Sequence, residues 1–190
     1  PFKDVYFNAI ICDKEGRKFS KTLGNGIDPL EVIDRFGADA VRYTCVSLAP
    51  LGGRVKLAAE DFENGHRFVN KLWNSARFLK RYLGDKKDIG DFDETKLASP
   101  FLGLLKDFYQ TTSEMNHLLT TYQINEAVEK IFHLAWRNFC DWGLEAAKPV
   151  LEGEQVFEKE ETLSCLLYVF EGVLRLLAPI MPFITEEIWQ

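Results

Sequence analysis

Val69-Asn70-Lys71-Leu72-Trp73-Asn74-Ser75-Ala76-Arg77-Phe78-Leu79-Lys80-Arg81-Tyr82-Leu83 is the stretch on which the fold turns. Val69, Leu72, Ala76, Leu79 and Leu83 recur at spacings of three and four, one apolar stripe of an α-helix. The pattern predicts a helix over 60–83, with Gly84 as its stop. Everything beyond it reads as helical too. A helix is predicted over 100–121, with a break at Gln123. Ile124, Val128, Ile131, Ala135, Phe139, Trp142 and Ala146 then restart the period, and Pro149 is expected to end it. Leu163 to Leu177 is apolar on nearly every side, as the central helix of a bundle would be. After Pro179 and Pro182, Phe183 to Trp189 reads as a further turn or two. Residues 85–99 and 152–161 are charged and read as exposed connections, the second running into the next helix.

Working back from residue 60, the pattern changes. Residues 5–12 are β-branched and aromatic and predict a strand, and 13–16 predict a turn. Asp28-Pro29 opens a helix running to Phe36, with Gly37 as its stop. A second helix is expected over 38–47, a break over 49–53, and a short strand at 54–57. The fold class is therefore mainly α: a small α/β unit over 1–59, followed by an antiparallel helix bundle over 60–190.

The chain has 190 residues, 46% hydrophobic and 27% charged, enough to bury a real core. No apolar run reaches membrane-spanning length, and the N-terminus does not read as a signal peptide. Cys12, Cys45, Cys140 and Cys165 form no C-x-x-C pair and read as reduced thiols of a cytoplasmic protein. His66, His117 and His133 lie near no cysteine cluster, so no metal site is expected. Trp73, Trp136, Trp142 and Trp189 lie on or beside apolar stripes and are assigned to the core. Glu186-Glu187 has no partner base and is given no catalytic role.

A net charge of −6 argues against indiscriminate nucleic-acid binding, so any such contact requires a local basic face. Residues 61–83 supply one, with five basic side chains against two acidic. At about 100° per residue, Arg67, Asn70, Lys71, Asn74, Arg77 and Arg81 fall together opposite the stripe. Phe78 falls among them, and a ring among cations suits an unpaired RNA base. The alternative is that Phe78 packs beneath a neighbouring segment. A second basic element is Gly16-Arg17-Lys18-Phe19-Ser20-Lys21-Thr22-Leu23-Gly24-Asn25, with three cations, two hydroxyls and little to bury. It reads as a surface loop suited to a polyanion, or as an ordinary solvated loop.

Lys18-Phe19-Ser20-Lys21-Thr22 followed by Ile27-Asp28-Pro29 resembles the KMSKS signature of class I aminoacyl-tRNA synthetases. Phe36-Gly37-Ala38-Asp39-Ala40-Val41-Arg42, Asn70 to Phe78, Phe139-Cys140-Asp141-Trp142 and Ala178 to Trp189 are similar, in order, to valyl-tRNA synthetases. The resemblance implies a KMSKS loop and stem-contact-like unit over 1–59, and a C-terminally truncated anticodon-binding bundle over 60–190. It implies that Lys18 and Lys21 are catalytic, stabilising charge on the ATP triphosphate, with Ser20 as a third ATP-binding residue. It further implies a ligase whose parent enzyme uses ATP and Mg2+ to join valine to its tRNA, and a monomer. Contacts to tRNA are expected from Arg67, Lys71, Asn74, Arg77, Phe78 and Arg81. Phe19 stands where the pattern has methionine, Thr22 where it has serine, and Gly143 where a tyrosine commonly follows Asp-Trp. No H-I-G-H-like segment is present, so this stretch is expected to bind no ATP and to activate no amino acid alone. The rival readings are the same region of a leucyl or isoleucyl enzyme, and a helical protein-interaction module.

Overall fold

The computed structural model describes residues 1–48, 50, 52–84, 92–154 and 156–190. The predicted break at 49–53 and the connection at 85–99 fall partly outside these residues. Of the strand expected over 5–12, only β1 (Ile10–Cys12) is one. It pairs in parallel with β2 (Arg54–Lys56), Ile11 opposite Val55; residues 5–9 form no strand, though the Phe7 carbonyl accepts from the Gly52 N–H at 3.0 Å. A parallel pair needs a long crossover, and α1 (Pro29–Phe36) and α2 (Ala38–Ser47) provide it. Asp28 caps α1, its carboxylate accepting from the Leu30 N–H at 2.8 Å. Gly37, at φ 88°, turns the chain between the two helices. Val32, Phe36, Ala40, Leu57 and Phe62 form a small core under this unit.

A 3-10 turn (Ala59–Asp61) leads into α3 (Phe62–Leu83). The bundle continues with α4 (Ser99–Thr120), α5 (Ile124–Phe132), a π-helical stretch (His133–Gly143) and α6 (Leu144–Glu152). It ends with α7 (Val156–Leu177) and α8 (Pro182–Trp189). α7 is central as predicted: Leu166, Val169, Phe170, Val173 and Leu177 are all buried, and Phe170 stacks on Phe139 at 5.2 Å.

Three expectations are corrected. Pro149 does not end its helix, which runs on to Glu152. Pro149 and Glu145 are both exposed, so the carbonyl that loses its donor faces water. The loop expected over 152–161 is instead largely the first turns of α7, where Glu161 accepts from the Asp93 N–H at 2.8 Å. Trp73, Trp142 and Trp189 are 40%, 49% and 51% exposed, and only Trp136 is half-buried against the core.

The tryptophan error has a definite cause on α3. Its buried face is Gly65, Phe68, Leu72, Ser75 and Leu79, with Val69, Ala76 and Leu83 on its margin. The true centre is thus rotated toward Phe68 and Ser75. That rotation carries Trp73 out to solvent and draws Lys71 and Phe78 to the edge of the core. The close crossing of α2 over α3 sets it: a β-carbon on Gly65 would lie 2.5 Å from the Ala40 carbonyl oxygen.

Candidate functional site

The basic loop is held by a carboxylate-amide staple. Asp13, buried at the end of β1, accepts from the Arg17 N–H, the Arg17 Nε and the Asn25 Nδ2, each at 2.8 Å. Asn25 in turn accepts from the Ser20 N–H at 2.9 Å, tying the middle of the loop to its end. Gly16 (φ 83°) and Gly24 (φ 61°) adopt the left-handed backbone that the two turns require. Phe19 packs on the small core, so the large ring in the methionine position serves as the loop's anchor. Lys18 and Lys21 are exposed, and neither ammonium group makes a hydrogen bond or ion pair with any described residue, although both backbone carbonyls accept one, from Asn25 Nδ2 and the Gly24 N–H. Ser20 is half-buried, and its bond to Asn25 uses the backbone, so its hydroxyl bonds to no described residue.

The Asn25 amide, and after it Arg17, holds the Asp13 carboxyl at about 2, against an ordinary value of 3.8. A carboxylate whose folded value is depressed contributes fully above its unfolded value and loses that contribution as pH falls through the folded one. The loop is therefore expected to stay ordered at pH 4 and to loosen as pH falls from about 3.8 towards 2. An NMR titration of the Asn25 side-chain amide checks this, and Asn25→Ala should return Asp13 towards its ordinary value.

On α3 the predicted basic face is only partly available. Arg77 and Lys80 are exposed and form no ion pair with any described residue, beside exposed Asn70, Asn74 and Trp73. Arg81 is exposed, with its guanidinium 5.7 Å from the Tyr82 ring. Arg67 pairs with Glu63 at 3.2 Å. Lys71 is half-buried, its Nζ 2.5 Å from Asp141 and 5.7 Å from the Trp136 ring centre. Phe78 does not project freely among the cations. It is half-buried against the main core, its ring 5.1 Å from that of Tyr82.

Two blocks far apart in sequence, 36–42 and 178–189, meet. Asp39 accepts from the Phe183 and Ile184 N–H groups and so caps the start of α8. Arg42 donates to the Pro179 and Ile180 carbonyls at 3.0 and 2.9 Å.

Residues 1–58 match the family described as tRNA synthetases class I (I, L, M and V). Residues 103–190 match the anticodon-binding domain of tRNA ligase. Across its whole length the chain is 42% identical to the valine–tRNA ligases of Syntrophotalea carbinolica and Thermotoga maritima, and 40% to that of Listeria monocytogenes. The chain belongs to the valyl-tRNA synthetase family. It spans about a fifth of those relatives, 21% of the first two and 22% of the third. Solved synthetases share the fold. A LeuRS of Agrobacterium radiobacter K84, in complex with tRNA and LeuAMS, superposes with a TM-score of 0.78 at 21% identity, over 100% of this chain and 22% of that one. A Mycobacterium tuberculosis methionyl-tRNA synthetase, in complex with methionyl-adenylate, gives 0.78 at 20% identity, over 92% and 35%.

Within this valyl-tRNA synthetase segment, the departure at Gly143 has a structural role. A β-carbon there would lie 3.0 Å from Leu104 Cδ2, so the glycine lets α4 close onto the π-helical stretch. Sequence reading missed the Asp13–Asn25 staple, the Lys71–Asp141 pair and the Asp39–Arg42 clamp. Only the acidic and amide residues flanking the basic stretches hinted at them. Among the described residues, no helix is long and apolar enough to cross a membrane.

Proposed function

We propose that residues 60–190 bind the anticodon arm of valine tRNA, and that residues 1–59 contribute a phosphate-binding loop to the active site of a longer, cytoplasmic, monomeric enzyme. That enzyme would join valine to its tRNA using ATP and magnesium. The observation that carries the tRNA reading is the exposed α3 face, where Arg77, Lys80 and Arg81 stand beside Asn70 and Asn74 on a rigid helix. Phosphates would meet the cations, and an unpaired base would lie along the half-exposed edge of Phe78 near Asn74. Arg67 and Lys71 would join only by releasing Glu63 and Asp141.

Lys18 and Lys21 fit a triphosphate because neither ammonium group pairs with a described residue, on a loop held by the Asp13 and Asn25 bonds. ATP supplies an activated α-phosphorus for attack by the amino-acid carboxylate. Lys18 and Lys21 would hold the charge that develops on the departing phosphates, with the Ser20 hydroxyl beside them.

The test is a titration of this chain with valine, leucine and isoleucine tRNAs and anticodon-swapped versions, at two salt concentrations. The expected result is preference for the valine anticodon, weakened about tenfold by Arg77→Glu and weakened again by Phe78→Ala. Binding that ignores the anticodon and vanishes with salt would reduce the reading to phosphate contact.

A further inference from the structure

We infer that Asn25 is a positioning residue for the ATP chemistry of the basic loop: its side-chain amide takes the place of an edge strand and fixes Lys18 and Ser20 on one face. This rests on the triphosphate reading of that loop given above. The segment Lys18-Phe19-Ser20 lies on the edge of β1 that β2 leaves open. Cys12 pairs with Lys56 on one side and forms an antiparallel bridge to Lys18 on the other. The Asp13 N–H donates to the Arg17 carbonyl at 2.9 Å, and the Phe19 N–H donates to the Ile11 carbonyl at 3.2 Å.

An antiparallel segment turns alternate backbone groups away from its partner, so the Lys18 carbonyl and the Ser20 N–H face outward from β1. Asn25 meets both. Its Nδ2 donates to the Lys18 carbonyl at 3.3 Å, and its Oδ1 accepts from the Ser20 N–H at 2.9 Å. Nδ2 also donates to Asp13 Oδ2 at 2.8 Å, which anchors the amide to the end of β1. One side chain thus makes the two-point contact that a neighbouring strand would make, with its carbonyl and both amide hydrogens engaged.

Successive side chains of such a segment point to opposite faces. Phe19 packs on the small core, so Lys18 and Ser20 point the other way, an ammonium and a hydroxyl on one outer face. Lys21 belongs to the next part of the loop, a turn in which the Gly24 N–H bonds the Ser20 and Lys21 carbonyls at 3.1 and 3.3 Å. Asn25 therefore sets the aim of Lys18 and Ser20, and Lys21 rides on the turn beyond.

The experiment measures valine-dependent ATP–pyrophosphate exchange in the longer enzyme. Asn25→Ala is expected to lower kcat by about 10–10²-fold, the scale on which a small misplacement of reacting groups acts. The ATP KM should change less than about threefold, because the charge to be held grows in the transition state. The decisive variant is Lys18→Ala with Asn25→Ala, expected to be at most about twofold slower than Lys18→Ala alone, since Asn25 acts through Lys18. Asn25→Asp keeps the side-chain bulk and the acceptor for Ser20 but sets a second carboxylate against Asp13, so it too should be slow. Adding Asp13→Asn gives a donor back and should recover part of that loss. Costs of Lys18→Ala and Asn25→Ala that simply multiply would make Asn25 a general support of the loop and overturn the proposal. A wild-type rate in Asn25→Ala beside a slow Lys18→Ala overturns it too and spares the triphosphate reading. If Lys18→Ala exchanges at the wild-type rate, the role of Lys18 in the chemistry falls, and the role of Asn25 falls with it.

Discussion

Replacing Lys21 by alanine in the longer enzyme is expected to lower the kcat of valine-dependent ATP–pyrophosphate exchange by about 10²–10³-fold, the usual loss when one preorganised charge stabiliser is removed. Lys18→Ala should follow in the same direction. Both side chains are exposed and pair with no described residue, on a loop stapled by Asp13 and Asn25. No described residue pairs with either ammonium group, so little stability should be drawn from their charge. The melting temperature should therefore hold while the rate falls. The valine KM should move little, because charge on the triphosphate grows in the transition state rather than on binding. Lys106→Ala, exposed on α4, is the matched control. An exchange rate unchanged in both loop variants would remove the loop from the chemistry.

The second large effect concerns stability. Gly65→Ala is expected to destabilise the chain by about 2 kcal/mol, combining an overpacking cost of about 3 with a helix-propensity gain of about 1. The added carbon would meet the Ala40 carbonyl oxygen at 2.5 Å and the Thr44 Oγ1 at 2.9 Å. A backbone carbonyl cannot step aside, so α2 and α3 would have to part. Gly103→Ala on α4 meets nothing within 4 Å, and the same change there should stabilise by about 0.4–1 kcal/mol. Thermal melts of the two variants, expected to move in opposite directions, separate crowding from propensity. At this chain length the Gly65 variant should melt about 4–8 °C lower.

Much of the fold was legible because local signals agreed with tertiary packing. Asp28-Pro29 and Gly37 bounded α1 as read, and the apolar run from Leu163 marked the central helix. The failures on α3 share one physical origin: the sequence shows which residues are apolar, but not which side a neighbour covers. On α3 the stripe through Val69 and Ala76 was real yet off-centre, because Gly65, where α2 crosses closely, and Ser75, whose hydroxyl meets Cys140 Sγ at 3.0 Å, were not counted as apolar. That offset exposed Trp73 and tucked in Phe78. At Pro149 the error was different: a proline was read as a stop where its lost hydrogen bond faces water. In the site, cations were easy to find and their partners were not. Lys71 looked free until Asp141, 70 residues away, was brought beside it. Asp13 read as a turn residue and Asn25 as part of the basic loop, because the 12-residue separation of their contact leaves no local periodicity.

The clamp from Asp39 and Arg42 to the start of α8 sets a rule of inheritance. The cap of the last helix is supplied from a helix 144 residues earlier, within the unit that carries the basic loop. A chimera that takes residues 1–59 from one relative and the bundle from another therefore inherits half of each bond. It keeps a capped α8 only if both parents place the same carboxylate and guanidinium on one side and the same bend around Pro179 on the other. Modular exchange between these two parts is thus conditional on a handshake that neither part encodes alone.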